Sequence, residues 1–73
     1  MTNMYYDREI DGYRFHARTR ETGTRVGTYI EFEADELPPD DIIDRAVMAQ
    51  GLYGADVIKY PDKVAVGASG WID

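Results

Sequence analysis

The chain contains no cysteine. That excludes disulfides and thiolate zinc sites and fits a reducing, cytoplasmic setting. It has one serine, Ser69, and one histidine, His16. A nucleophilic triad needs a nucleophile, a base and an orienting group within hydrogen-bond reach. Ser69 falls in a glycine-flanked stretch and His16 on a charged strand face, so no triad is expected. No apolar run approaches the roughly 20 residues of a membrane-spanning helix. Met1-Thr2-Asn3-Met4 lacks the basic and apolar regions of a signal peptide. Basic residues are scarce: eight stand against fourteen acids, a net charge of -6. Nonspecific binding to DNA or RNA needs a basic face, so direct nucleic-acid binding is not expected.

What is present amounts to one domain, residues 1–73. A chain of this length buries only about 60% of its unfolded surface, so its core is thin and a deep pocket is not expected. The first third reads as strands. Tyr5 to Ile10 leads into Asp11-Gly12, a strong two-residue hairpin signal. Tyr13 to Arg20 then alternates. Tyr13, Phe15, Ala17 and Thr19 point one way, while Arg14, His16, Arg18 and Arg20 point the other. After Glu21-Thr22-Gly23-Thr24, Val26 to Glu33 forms a third strand with Thr28, Ile30 and Phe32 on one face.

Pairing predicts the register. A turn at Asp11-Gly12 sets Ile10 opposite Tyr13, Glu9 opposite Arg14, Asp7 opposite His16 and Tyr5 opposite Arg18. A four-residue loop after Arg20 sets Phe15 opposite Ile30, Tyr13 opposite Phe32, Arg14 opposite Glu31 and Gly12 opposite Glu33. One face is then apolar and the other carries opposite-charge pairs, both of which stabilise a sheet. The arginine row therefore reads as neutralised within its own sheet, although Arg18, Arg20 and Arg25 are less well matched and form a small basic end. Arg8 is the misfit, on the apolar face opposite Phe15, where an edge position would let it reach water.

Leu37-Pro38-Pro39-Asp40-Asp41 opens a helix, with proline and carboxylates suited to its first turn. Ile42, Ile43, Ala46, Val47, Ala49 and Gln50 share one face, and Gly51 or Gly54 ends it. Ala55 to Tyr60 and Val64 to Ala68 read as a second hairpin across Pro61-Asp62, followed by a short tail, Gly70-Trp71-Ile72-Asp73. The expected fold is α+β, an antiparallel sheet of about five strands in the order βββαββ with one helix on one face.

Chemistry is sparse. Paired carboxylates need a cleft that a single helix on a thin sheet does not supply. Asp40, Asp41 and Asp44 crowd one helix start, but the Ca²⁺-loop pattern is missing. Gly23 and Gly27 are not followed by a phosphate-loop Gly-Lys-Ser/Thr. No catalytic residue, metal or cofactor is expected.

The acids themselves are clustered. Glu31, Glu33, Asp35, Glu36, Asp40, Asp41 and Asp44 fall in one window that holds no basic residue, and Asp11 joins them at the hairpin tip. Like charges at close range repel. The plain reading makes them capping and turn residues that aid solubility. The sharper one makes them a partner-binding patch that imitates the phosphates of a duplex in a basic groove. Met48, on the helix side away from the core, is expected to be exposed beside them, whereas Trp71 is expected to pack on the core.

A very short, acidic, cysteine-free chain with this element order and a Leu37-Pro38-Pro39-Asp40-Asp41 helix start resembles the small anti-CRISPR inhibitors of phages and mobile elements. The resemblance lies in size, charge and topology, and no family residue is carried over. It implies a protein in the cytoplasm of a bacterial host that binds a CRISPR effector, a type I surveillance complex above all. It would block target DNA binding by mimicry or occlusion. The alternatives are a structural or assembly module, a homodimer through a sheet edge or Met48 or a subunit of a larger complex, and an enzyme subunit completed by another chain.

Overall fold

Asp11 and Gly12 adopt φ of 49° and 88°. Both central residues of the first hairpin thus take the left-handed conformation that a two-residue turn requires. The computed structural model describes residues 2–71, with side chains described for 8–52 and 54–71. Strand β1 (Thr2–Ile10) and strand β2 (Tyr13–Thr22) flank this turn. Their register is the expected one, with Ile10 opposite Tyr13, Glu9 opposite Arg14, Asp7 opposite His16 and Tyr5 opposite Arg18.

Strand β3 (Arg25–Phe32) departs from expectation by two residues. Phe15 faces Phe32, His16 faces Glu31 and Ala17 faces Ile30. The cause is the turn. Thr22 pairs with Arg25, so only Gly23 and Thr24 connect the strands, with Gly23 at φ 60°. Glycine with positive φ at the first central position closes a two-residue hairpin, where a four-residue loop was expected. A shift of two preserves side-chain faces, so Phe15, Ala17, Val26, Ile30 and Phe32 still bury together. Gly12 is not opposite Glu33; the Glu33 N–H instead donates to the Arg14 carbonyl at 2.8 Å.

Helix α1 (Asp40–Met48) begins after Pro39, whose carbonyl accepts from the Ile42 and Ile43 N–H groups at 3.0 and 3.1 Å. Ile42, Ile43, Ala46 and Val47 are buried against the sheet. Ala49 and Gln50 lie just beyond the last helical turn and are half-buried. The chain leaves the helix through Gly51 at φ 76°. Gln50 ties this end to the sheet, as Thr19 Oγ1 donates to Gln50 Oε1 at 3.4 Å and lies 3.2 Å from Thr28 Oγ1. The two threonines face each other across β2 and β3.

The second hairpin is longer than expected. Strand β4 (Tyr53–Tyr60) and strand β5 (Ala65–Trp71) are joined by a 3₁₀ turn at Pro61–Lys63. Gly70 and Trp71 are therefore strand residues and not a tail. Ile72 and Asp73 of that expected tail lie outside the described residues. All five strands form one antiparallel sheet in the order β1-β2-β3-β5-β4. The helix carries the chain past the position next to β3, and β5 returns to fill it. With one helix on one face the fold is α+β, as the sequence predicts. The other face of the sheet carries no covering element among the described residues.

Ala46 is fully buried at the helix–sheet contact. Ala46→Leu adds volume to a filled position and is expected to cost about 1–3 kcal/mol. At about 4–8 °C per kcal/mol, a thermal melt followed by circular dichroism will show the loss. Met48→Leu, at a position 72% exposed, will leave the melt unchanged.

Candidate functional site

The predicted acidic residues fall into three settings. Glu31 and Glu33 sit at the end of β3 beside the arginine row, on the sheet face away from the helix. The Glu33 carboxylate lies 3.2 Å from His16 Nε2. The register places Arg14 next to Glu33 and not Glu31, and His16 next to Glu31. The expected pairing of His16 with Asp7 falls on a side chain outside those described.

Asp11 and Asp40 are paired with cations from distant parts of the chain. Arg45 Nη1 donates to Asp11 Oδ2, and Lys59 Nζ donates to Asp40 Oδ1. Asp11 thus sits against the helix and not beside Glu33. Both pairs are more than half exposed except at Lys59, which is 48% exposed. Exposed pairs of this kind are worth about 0–1 kcal/mol, so they exchange partners readily.

Asp35, Glu36, Asp41 and Asp44 form the third setting. All four are exposed, and none makes an ion pair among the described residues. Asp41 and Asp44 precede Met48 by seven and four positions, the spacing of one helix side. Met48 is 72% exposed, as expected. The outward side of α1 therefore presents carboxylates and one flexible apolar side chain. Among the described residues, no three His, Asp or Glu side chains converge as a metal site. No helix there is long and apolar enough to cross a membrane.

The open sheet face was not anticipated from the sequence. It holds a groove of about 630 Å³ across β2, β3, β5 and β4. Gly27, Gly67 and Ser69 form its floor, with Arg18 and Arg20 on one side and Asp56, Ile58 and Tyr60 on the other. The Arg18 guanidinium lies 5.9 Å from the Tyr29 ring centre, and Tyr29 lies 6.3 Å from Tyr60. Trp71 does not pack on the core. It ends β5 half exposed, with the Arg25 guanidinium 4.8 Å above its ring. Glycines inside strands often mark a close approach, and Gly27 and Gly67 were the available signal. Their convergence depends on β5 lying next to β3, which local pattern does not reveal.

Family models, curated proteins and solved structures were all compared with the chain, and none matches it.

Proposed function

We propose that this chain is a non-catalytic inhibitor that occupies a basic, nucleic-acid-binding surface of a protein partner. One observation carries the reading. From Asp35 to Asp44 the chain exposes five carboxylates and no cation, and four of the five make no internal ion pair among the described residues. Grouped carboxylates repel one another until a cationic surface approaches, and complementary charge then speeds and orients docking. Met48 supplies an adaptable apolar contact at the same helix side. The partner class that the resemblance suggests is a CRISPR effector in a bacterial cytoplasm, with a type I surveillance complex first in line.

The test is order of addition. Purified chain mixed with a type I surveillance complex before target DNA is expected to abolish the DNA mobility shift at about one chain per binding groove. Added after DNA, it is expected to act far more slowly. A complex that still binds DNA fully at saturating chain would exclude this partner.

One feature favours a second reading, an assembly module. Strand β4 is a sheet edge with Val57 and Ile58 exposed at 37% and 58%, and an uncovered edge is a template for strand pairing. Light scattering across a dilution series separates the two. A dimer that persists on dilution, with no effect on DNA binding, favours assembly.

A further inference from the structure

Gly27 is a residue without an internal explanation. It lies inside β3, its φ is not in the left-handed region, and a Cβ built on it meets nothing within 4 Å. Glycine weakens a strand interior by roughly 0.5–1 kcal/mol relative to alanine, so neither backbone geometry nor packing accounts for it. Gly67, two strand positions away across β5, has an occupant. The Tyr60 ring lies over it, 3.2 Å from where its Cβ would stand. The space above Gly27 has no such occupant from this chain. It is the floor of the open-face groove.

The walls define what fits there. Arg18 and Arg20 along β2 border the space. Arg25 lines the adjoining hollow that shares Arg20, Gly27 and Ser69, its Nη2 donating to Ser69 Oγ at 3.5 Å. Aromatic rings stand at both ends. Tyr29 and Tyr60 adjoin Gly67, and Trp71 lies four residues further along β5. At about 3.3 Å per residue that separation is roughly 13 Å. Arg25 covers one face of Trp71 and Arg18 lies over Tyr29, while Trp71 stays half exposed. Arginines stacked beside rings on an uncovered antiparallel sheet are a means by which single-stranded nucleic acid is held, phosphates on the arginines and bases on the ring surface left open. Duplex would not reach the rings. Asp56 on the far wall places an acceptor where an amino group of a base can donate to it.

The overall charge of -6 does not settle the local field. Of the four arginines on this face, Arg14 is bordered by Glu9 and Glu33, and Glu31 and Glu33 adjoin His16. Arg18, Arg20 and Arg25, by contrast, border the groove with Asp56 as the carboxylate among its lining residues. We infer that the open sheet face, from Tyr60 across Gly27 to Trp71, is a binding site for a short single strand of DNA or RNA. The site is separate from the carboxylates of α1 and does not depend on the inhibitor reading.

The probe is a labelled oligonucleotide of about twelve nucleotides, within the span such surfaces cover, at ~50 mM salt, where phosphate contacts are strong. Anisotropy and Trp71 fluorescence are read together. Saturable binding with quenching of the tryptophan is expected, and matched duplex is expected to bind more weakly. Trp71→Ala weakens binding by at least about fivefold. Arg18→Ala with Arg25→Ala lowers the salt dependence by about 0.7 per arginine removed. Gly27→Val is the decisive variant. A β-branched residue favours a strand, so it is expected to melt no lower than the parent while losing at least about fivefold in affinity. The inference is overturned if the parent shows no saturable binding at low salt, or if duplex binds as well. It is overturned too if Gly27→Val binds normally, or if polyglutamate displaces the oligonucleotide at lower charge concentration, which would assign the groove to an acidic protein segment.

Discussion

Phe15→Ala is expected to lower the melting temperature by about 12–40 °C, the largest single-site effect on stability in this chain. Phe15 is 1% exposed and belongs to the buried cluster between the sheet and α1. Its ring centre lies 5.5 Å from that of Phe32, tilted by 53°, a favoured aromatic geometry. Removing a buried phenylalanine costs about 3–5 kcal/mol, because the lost transfer energy adds to the cavity left behind. A domain of this length has about 4–11 kcal/mol of stability to lose, at 0.05–0.15 kcal/mol per residue, and each kcal/mol moves the melt by about 4–8 °C.

Collapse of the helix into the space would lessen the cost. Ile43 and Ala46 are already fully packed against the same region, so little collapse is available. Met48→Ala is the control, since a side chain 72% exposed changes stability by no more than about 0.5 kcal/mol. A shift below about 5 °C for Phe15→Ala would mean that the helix does not seal this face of the sheet.

The first hairpin is readable because Asp11-Gly12 carries its own geometry: both residues tolerate positive φ, and everything to Tyr5 follows by counting. The β2–β3 turn is not, because Gly23 permits either a long loop or a tight turn. The two choices differ by two residues and leave the same side chains buried. Hydrophobic alternation therefore cannot choose between them. The consequence reaches the candidate site, since that shift moves Glu33 from the hairpin tip to the neighbourhood of Arg14 and His16.

Ion pairs between distant segments escape sequence counting for a related reason. Lys59 meets Asp40, and Arg45 meets Asp11, only once the helix has been laid on the sheet. The carboxylate window from Glu31 to Asp44 was visible in the sequence. Which of its members keep their charge uncompensated was not. Glycine and serine around Trp71 read as a tail in the sequence, whereas pairing with β3 draws Gly70 and Trp71 into β5 opposite Val26 and Arg25.

Reversing Asp35, Glu36, Asp41 and Asp44 to lysine is expected to weaken partner binding by more than about a hundredfold while leaving the fold intact. Like charges set against a basic surface cost several kcal/mol, and each 1.4 kcal/mol is about tenfold in affinity. The fold has little reason to respond, because none of the four carboxylates is tied to a cation among the described residues. Lysine at position 41 opposes the helix dipole by about 0.3–1 kcal/mol. Lysine at 44, four residues after Asp40, returns about 0.2–0.5 kcal/mol as a new pair along the helix. Glu33→Gln with Asp40→Asn is the comparison, and it is expected to matter less, since those carboxylates already have partners in His16 and Lys59. Four reversals of +2 each carry the net charge from -6 to +2. The same variant should therefore bind a single-stranded oligonucleotide more tightly than the parent, through long-range attraction. Loss of inhibition together with a gain in oligonucleotide binding that Gly27→Val abolishes would place the two activities on opposite sides of the sheet. Loss of both would mean that the charge reversal had damaged the fold, which the thermal melt would report. Unchanged inhibition would remove the carboxylates of the helix side from the interface.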